Sequence, residues 1–278
     1  MTSNYTVRYA SNPEVFKSYD TQQIRDEFLI RNLFRAGEIN LVYSHYDRYI
    51  VGGAKPGEGP LRLEPIEPLK AENFLNRREL GVINVGEQGT VTVDGESYEL
   101  KNKEAIYIGR GSENITFARS KGQPLFYINS APAHRSNPTK QITLDEAETV
   151  EMGSLETSNH RLIHKLIVHS VVDTCQLQMG MTILKKGSVW NTMPAHVHDR
   201  RMEAYFYFDL PDDQVVSHFM GEPDETRHIF LQNHQAVLSP PWSIHCGSGT
   251  SSYSFIWGMA GENLDYGDMD VVKPTEMR

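Results

Sequence analysis

Most of this chain alternates apolar and polar positions in short runs separated by Gly, Asn or charged turns, the period-two signature of half-buried strands. The first series predicts strands near 38–44, 49–51, 81–85, 89–93, 97–100, 105–108, 114–117 and 125–128. Asp94-Gly95 between two of these runs predicts a hairpin, because both residues tolerate positive φ. A second series predicts strands near 164–168, 175–184, 204–208, 215–220, 228–231, 236–238 and 253–257. One helix stands ahead of both: Asp20 and Gln23 form a capping box, and Ile24, Phe28 and Leu29 make an apolar stripe. Residues 132–160 are polar and rich in turn formers, which predicts a linker with one helical turn.

The two series resemble one another. Residues 76–83 align with 199–206 at an offset of 123, and 104–107 with 235–238 at an offset of 131. The eight extra residues fit the loop around Pro211 or that around Gly221. Many short strands and few helices predict an all-β fold of duplicated β-barrels, divided into 1–150 and 151–278.

Composition narrows the function classes. The 278 residues are 39% hydrophobic with a formal charge of −9, which argues against nucleic acid as a partner. No stretch has the length of a membrane span, and the first residues lack a basic region followed by an apolar core. A cytoplasmic protein is therefore expected. The two cysteines, Cys175 and Cys246, read as buried thiols, with a metal contact from Cys246 as the alternative, since it adjoins His245.

The chemistry concentrates in His196-Val-His198-Asp-Arg-Arg-Met-Glu203, answered by His245. Three imidazoles and a carboxylate are a ligand set for zinc, manganese, iron or nickel, and alternation along a strand turns His196 and His198 the same way. A His-x-His-x4-Glu match arises by chance in roughly 0.03 of chains of this composition. Glu203 is followed by Ala-Tyr-Phe-Tyr-Phe, which belongs in a core, and a buried carboxylate needs a partner. At the matching positions of the first series stand Asn73, Leu75, Leu80 and Asn114, so only the second barrel is expected to bind metal.

Other candidates surround this motif. Tyr205 and Tyr207 share the face of Glu203; Tyr205 is a candidate to pass a proton to a substrate oxygen, or packs the barrel. Arg227 is the first choice to grip a substrate carboxylate, an ordinary ion pair being the alternative. Arg161 and Lys165 are further cationic candidates, and Trp242 either walls the metal or packs. Arg200 and Arg201 recur as Arg77 and Arg78 in the first series, which favours a structural role.

The order His-x-His-x4-Glu, then His after Pro240-Pro-Trp-Ser-Ile, resembles the two metal motifs of cupin barrels. A closer resemblance runs nearly end to end. Leu41-Val-Tyr-Ser-His, Arg77-Arg-Glu-Leu-Gly-Val-Ile-Asn, Thr174-Cys-Gln-Leu, Trp190-Asn-Thr-Met-Pro, Arg200-Arg-Met-Glu, Glu225-Thr-Arg-His and Trp242-Ser-Ile-His are similar to the 5-keto-4-deoxyuronate isomerase family. That resemblance implies a bicupin with one zinc per chain on His196, His198, Glu203 and His245, in a homohexamer. It implies ketol isomerisation of an unsaturated-uronate product, with the proton carried through an enediol either by a separate base or by Glu203 itself. The rival expectations are an iron-dependent cupin dioxygenase and a non-enzymatic sugar-acid-binding cupin.

Overall fold

A computed structural model describes residues 3–262 and 264–278. Strands dominate it, and the helices are short: Pro13–Phe16, Thr21–Phe28 and a single 3-10 turn, Glu67–Leu69. The helix Thr21–Phe28 starts where its capping box predicts. The Asp20 carboxylate accepts from the Gln23 N–H at 2.8 Å, and the Gln23 side chain accepts from the Asp20 N–H at 2.9 Å. Ile24 and Phe28 are its buried face.

The chain forms two compact units. Among the described residues, the first comprises 3–8, 32–148 and 166–179; the second comprises 9–31, 149–165, 180–262 and 264–278. A single cut at 150 does not describe this division, because residues 9–31 go with the second unit and 166–179 with the first. The reason for the first transfer is local. Helix Thr21–Phe28 leads into a short strand, Leu29–Ile30, that pairs with Val237 and Ala236 and covers the edge of their sheet.

Each barrel is a seven-stranded sheet facing a four-stranded one, and the strand order repeats. In the first seven-stranded sheet the order is Asn4–Arg8, Glu38–Ser44, Ile50–Lys55, Phe126–Pro132, Arg78–Asn84, Ala105–Ile108 and Lys140–Ile142. In the second it is Glu148–Met152, Arg161–Ile167, Gln178–Leu184, Ser254–Gly261, Arg201–Phe208, Gln235–Ser239 and Leu29–Ile30. Two of these strands, Lys140–Ile142 and Glu148–Met152, lie inside the stretch expected to be a linker.

Ladder register reproduces the offsets read from sequence. Leu80 pairs with Ile108, and Glu203 with Ser239, so offsets of 123 and 131 put the same pair in both barrels. The hairpins locate the insertions. Val93 and Glu96 flank the turn Asp94-Gly95 as Glu222 and Glu225 flank Pro223-Asp224, an intermediate offset of 129. Six of the eight extra residues therefore fall before the hairpin, around Pro211, and two fall after it. The same count moves one counterpart. Val91 faces Phe117, while Phe219 faces Cys246 and places His245 beside Met220, so Phe117 rather than Asn114 stands where the second barrel has His245.

Candidate metal centre

Strand Arg201–Phe208 is the spine of the site. It lies between Ser254–Gly261 and Gln235–Ser239, is buried along its whole length, and turns Glu203, Tyr205 and Tyr207 to one face. His196 lies on the short strand His196–Val197, which pairs with Asp270–Val271; His198 follows in the turn, and His245 immediately precedes Cys246–Gly249.

Four donor atoms converge from these elements, all within 4.8 Å of one another. Glu203 Oε2 is 3.0 Å from His198 Nε2 and 2.9 Å from His245 Nε2, and His245 Nε2 is 2.9 Å from His196 Nε2. These short edges are hydrogen-bond lengths, and three imidazoles with one carboxylate form a donor set that could hold a divalent metal ion.

The outer nitrogens are fixed as metal ligands require. His198 Nδ1 donates to the Arg201 carbonyl at 2.8 Å, and His245 Nδ1 lies 3.3 Å from both Ser239 Oγ and the Ser243 carbonyl. Each arrangement turns Nε2 toward the cluster.

The protonation balance also calls for a cation. Burial pushes the Glu203 carboxyl upward, but the neighbouring His245 and His198 outweigh it and hold the group well below the usual carboxylate range. Burial likewise opposes a charge on His198, yet the hydrogen bond and charge of Glu203 raise it above its ordinary value. His196, half-buried beside His245, is pushed down to about 3 by desolvation and by the charge of His245. A proton on His198 thus serves the carboxylate where a metal would. Metal affinity should fall as pH falls through the raised His198 value, because the proton competes for the same Nε2. Competition against a chelator at a series of pH values checks this, and a pH-independent affinity would contradict it.

Tyr205 belongs to the site. Its ring stands 5.5 Å from that of His245, its hydroxyl is 2.9 Å from Thr192 Oγ1, and burial raises its pKa well above the ordinary value. Its hydroxyl is therefore protonated. Tyr207 lies on the same face but is occupied elsewhere, its hydroxyl 2.8 Å from His218 Nδ1. Arg161 is half-buried; burial lowers its pKa while the neighbouring Tyr205 and Tyr266 support its charge. Lys165 shares that face, its Nζ 4.7 Å from the centre of the Tyr266 ring, which in turn lies 5.3 Å from the ring of Trp257. Gly180 makes room for this layer, since a Cβ there would come within 2.1 Å of Trp257.

Three candidates have partners outside the cluster. Arg227 pairs with Glu225 at 2.8 Å and donates to the carbonyls of Lys17 and Thr226 at 2.8 and 3.0 Å, so its guanidinium ties a helix end to the sheet. Trp242 packs against Phe16 at 5.2 Å between ring centres. Cys246 alternates away from His245 into an apolar cluster with Ala195 and Ile244, and burial pushes its thiol up to about 12. Thr192, Trp257 and Tyr266 carry no motif that points to the site; only the fold brings them there.

Residues 28–272 match the KduI/IolB family. This chain belongs to the KduI/IolB family. It is 62% identical, with both chains covered completely, to the 4-deoxy-L-threo-5-hexosulose-uronate ketol-isomerase of Formosa agariphila. It is 55% identical over the full length of both chains to the protein of that name from Bacteroides fragilis, and 49% identical to that of Agrobacterium fabrum over 98% of each. Among solved structures, an IolB-like protein from Salmonella typhimurium superposes with a TM-score of 0.66 at 16% identity, covering 81% of this chain and 86% of that one. The oxalate decarboxylase of Lactobacillus farciminis gives 0.56 at 9% identity, covering 81% and 79%. The structural likenesses bear on fold alone, and they agree with the duplicated cupin barrels seen here. Among the described residues, no helix is long and apolar enough to cross a membrane.

Proposed function

We propose that this protein is a zinc-dependent ketol-isomerase that converts 4-deoxy-L-threo-5-hexosulose uronate to 3-deoxy-D-glycero-2,5-hexodiulosonate in the catabolism of pectin and related uronates. Full-length identity of 62% to a 4-deoxy-L-threo-5-hexosulose-uronate ketol-isomerase carries the isomerase reading. The four-donor cluster and the protonated Tyr205 beside it supply chemistry that suits the reaction.

Isomerisation moves a proton from the hydroxyl-bearing carbon to the neighbouring aldehyde carbon. A metal bound by His196, His198, Glu203 and His245 would polarise the two oxygens on those carbons. Tyr205, held in place by Thr192, would pass its proton to the aldehyde oxygen as the enediol forms and recover one from the neighbouring hydroxyl as the ketone forms, while a base other than Glu203 carries the proton between the two carbons. Glu203 remains a ligand in this reading, since both of its imidazole contacts hold it in the cluster. A Glu203→Gln variant that keeps stoichiometric metal but loses proton exchange would transfer the base role to Glu203.

Arg161, with Lys165 beyond it, is the better anchor for the substrate carboxylate, because it donates to the neutral Asn159 carbonyl at 2.8 Å whereas Arg227 already pairs with the Glu225 carboxylate. Losing one charge-assisted bond costs about 1.5–3 kcal/mol, roughly tenfold to more than a hundredfold in binding. Arg161→Leu should raise KM by that order with metal content intact, and Arg227→Leu should leave KM unchanged. Steady-state kinetics on both variants checks the assignment; the opposite pattern would restore Arg227.

Proton NMR of the substrate in heavy water with zinc-loaded enzyme tests the function. Loss of the aldehyde signal with deuterium appearing in the ketose is expected. Bound iron with oxygen uptake, or binding of the uronate without turnover, would overturn the reading. The homohexamer and cytoplasmic location belong to the same proposal, and light scattering and cell fractionation check them.

A further inference from the structure

The duplicated fold places an arginine pair at the same position in both barrels, and the two pairs have different surroundings. In the metal-bearing barrel, Arg200 contacts the carboxylates of Glu262 at 2.7 Å and Asp268 at 3.8 Å, and Arg201 lies in the field of Glu203, Asp268 and Asp265. In the first barrel, Arg77 donates only to the carbonyls of Leu69 and Lys70, at 2.6 and 2.8 Å. Arg78 donates to Ser130 Oγ at 3.0 Å and to the carbonyls of Arg48 and Ser130, each at 2.8 Å. Ser130 faces Leu80 in the ladder where Met259 faces Glu203, so the neutral hydroxyl partner exists only in the first barrel.

Arg78 is 5% exposed, and burial depresses its pKa to about 10. The nearest acid, Glu79, is committed elsewhere. Its carboxylate accepts from the N–H groups of Cys175, Gln176 and Leu177 and from the Tyr107 hydroxyl, all at 2.7–2.8 Å. The hydrogen-bond partners of this buried cation are all neutral, and Glu79 supports its charge only through space.

Both arginines line a cavity of about 240 Å³, joined by the exposed Arg48 and flanked by Tyr43, Phe74 and Pro132. No acidic residue lines it. We propose that this cavity of the metal-free barrel binds a small organic anion through its carboxylate, with Arg48, Arg77 and Arg78 supplying the positive field and the ring of Tyr43 an apolar wall. Its volume is below the roughly 300 Å³ at which drug-sized ligands begin, which restricts the occupant to something of sugar-acid size.

D-Gluconate is a suitable probe, since it carries a carboxylate and hydroxyls but no carbonyl to isomerise. Calorimetric titration is run on the metal-loaded protein, and again on His245→Ala, so that chelation at the metal centre cannot supply the heat. Gluconate should bind in both, sorbitol in neither, and Arg48→Ala with Arg77→Ala should weaken gluconate about tenfold or more. Retained turnover by the double variant checks its folding. Inorganic phosphate binding as tightly as gluconate would replace the carboxylate by an unselective anion site. No gluconate binding to His245→Ala, or binding unchanged by the double substitution, would overturn the proposal.

Discussion

His245→Ala is expected to leave both barrels folded while metal content falls below stoichiometry and turnover drops by at least about 10³-fold, some 4 kcal/mol of barrier. His245 is the centre of the cluster, with its Nε2 2.9 Å from both Glu203 Oε2 and His196 Nε2. Removing it takes away one donor and leaves Glu203 with a single imidazole contact. The methyl group that replaces the ring restores neither. Metal analysis and kinetics on the same preparation test this, with circular dichroism as the folding control. The wild-type protein stripped by a chelator should lose activity in parallel and regain it when zinc returns. Undiminished turnover in the metal-free variant would remove the cluster from the mechanism.

Glu79→Leu should have the second-largest effect, on stability rather than catalysis. The carboxylate is fully buried and engages three consecutive backbone N–H groups and the Tyr107 hydroxyl. Leucine has similar bulk but accepts nothing, so four donors lose their partner at about 1–3 kcal/mol for each one that water cannot reach. Part of the strand end around residues 175–177 is reachable by solvent, which brings the expected loss to about 3–5 kcal/mol. Urea unfolding should show the midpoint moved to lower denaturant, with metal stoichiometry unchanged. A shift under about 1 kcal/mol would mean that water replaces the carboxylate without penalty.

The strands, the early helix, the duplication and the ligand set are local or periodic properties, and they are readable in the chain. Alternation exposes each strand, and two offsets expose the repeat. What fails to appear in sequence is whatever depends on a partner far along the chain. Residues 175–177 have the composition of a strand, yet the strand begins at Gln178 because Glu79 takes their N–H groups. Arg227 looks like a carboxylate receptor until Glu225 and the Lys17 carbonyl are seen to occupy it. Trp242 reads as a wall over the metal, but Phe16 supplies its packing partner. Asn114 was the natural counterpart of His245 at a constant offset, and only hairpin register replaces it with Phe117. Tyr266 and Thr192 reach the site solely through the course of the backbone.

The strand Leu29–Ile30 also sets a schedule for biosynthesis. Ile30 pairs with Ala236, so this segment has its sheet partner made about two hundred residues later. At about 5–20 residues per second, that is a wait of roughly 10–40 s. During that interval Ile24, Phe28, Leu29 and Ile30, all buried in the finished protein, have no surface to cover. The nascent chain carries this apolar stretch as a passenger until the second barrel is nearly complete.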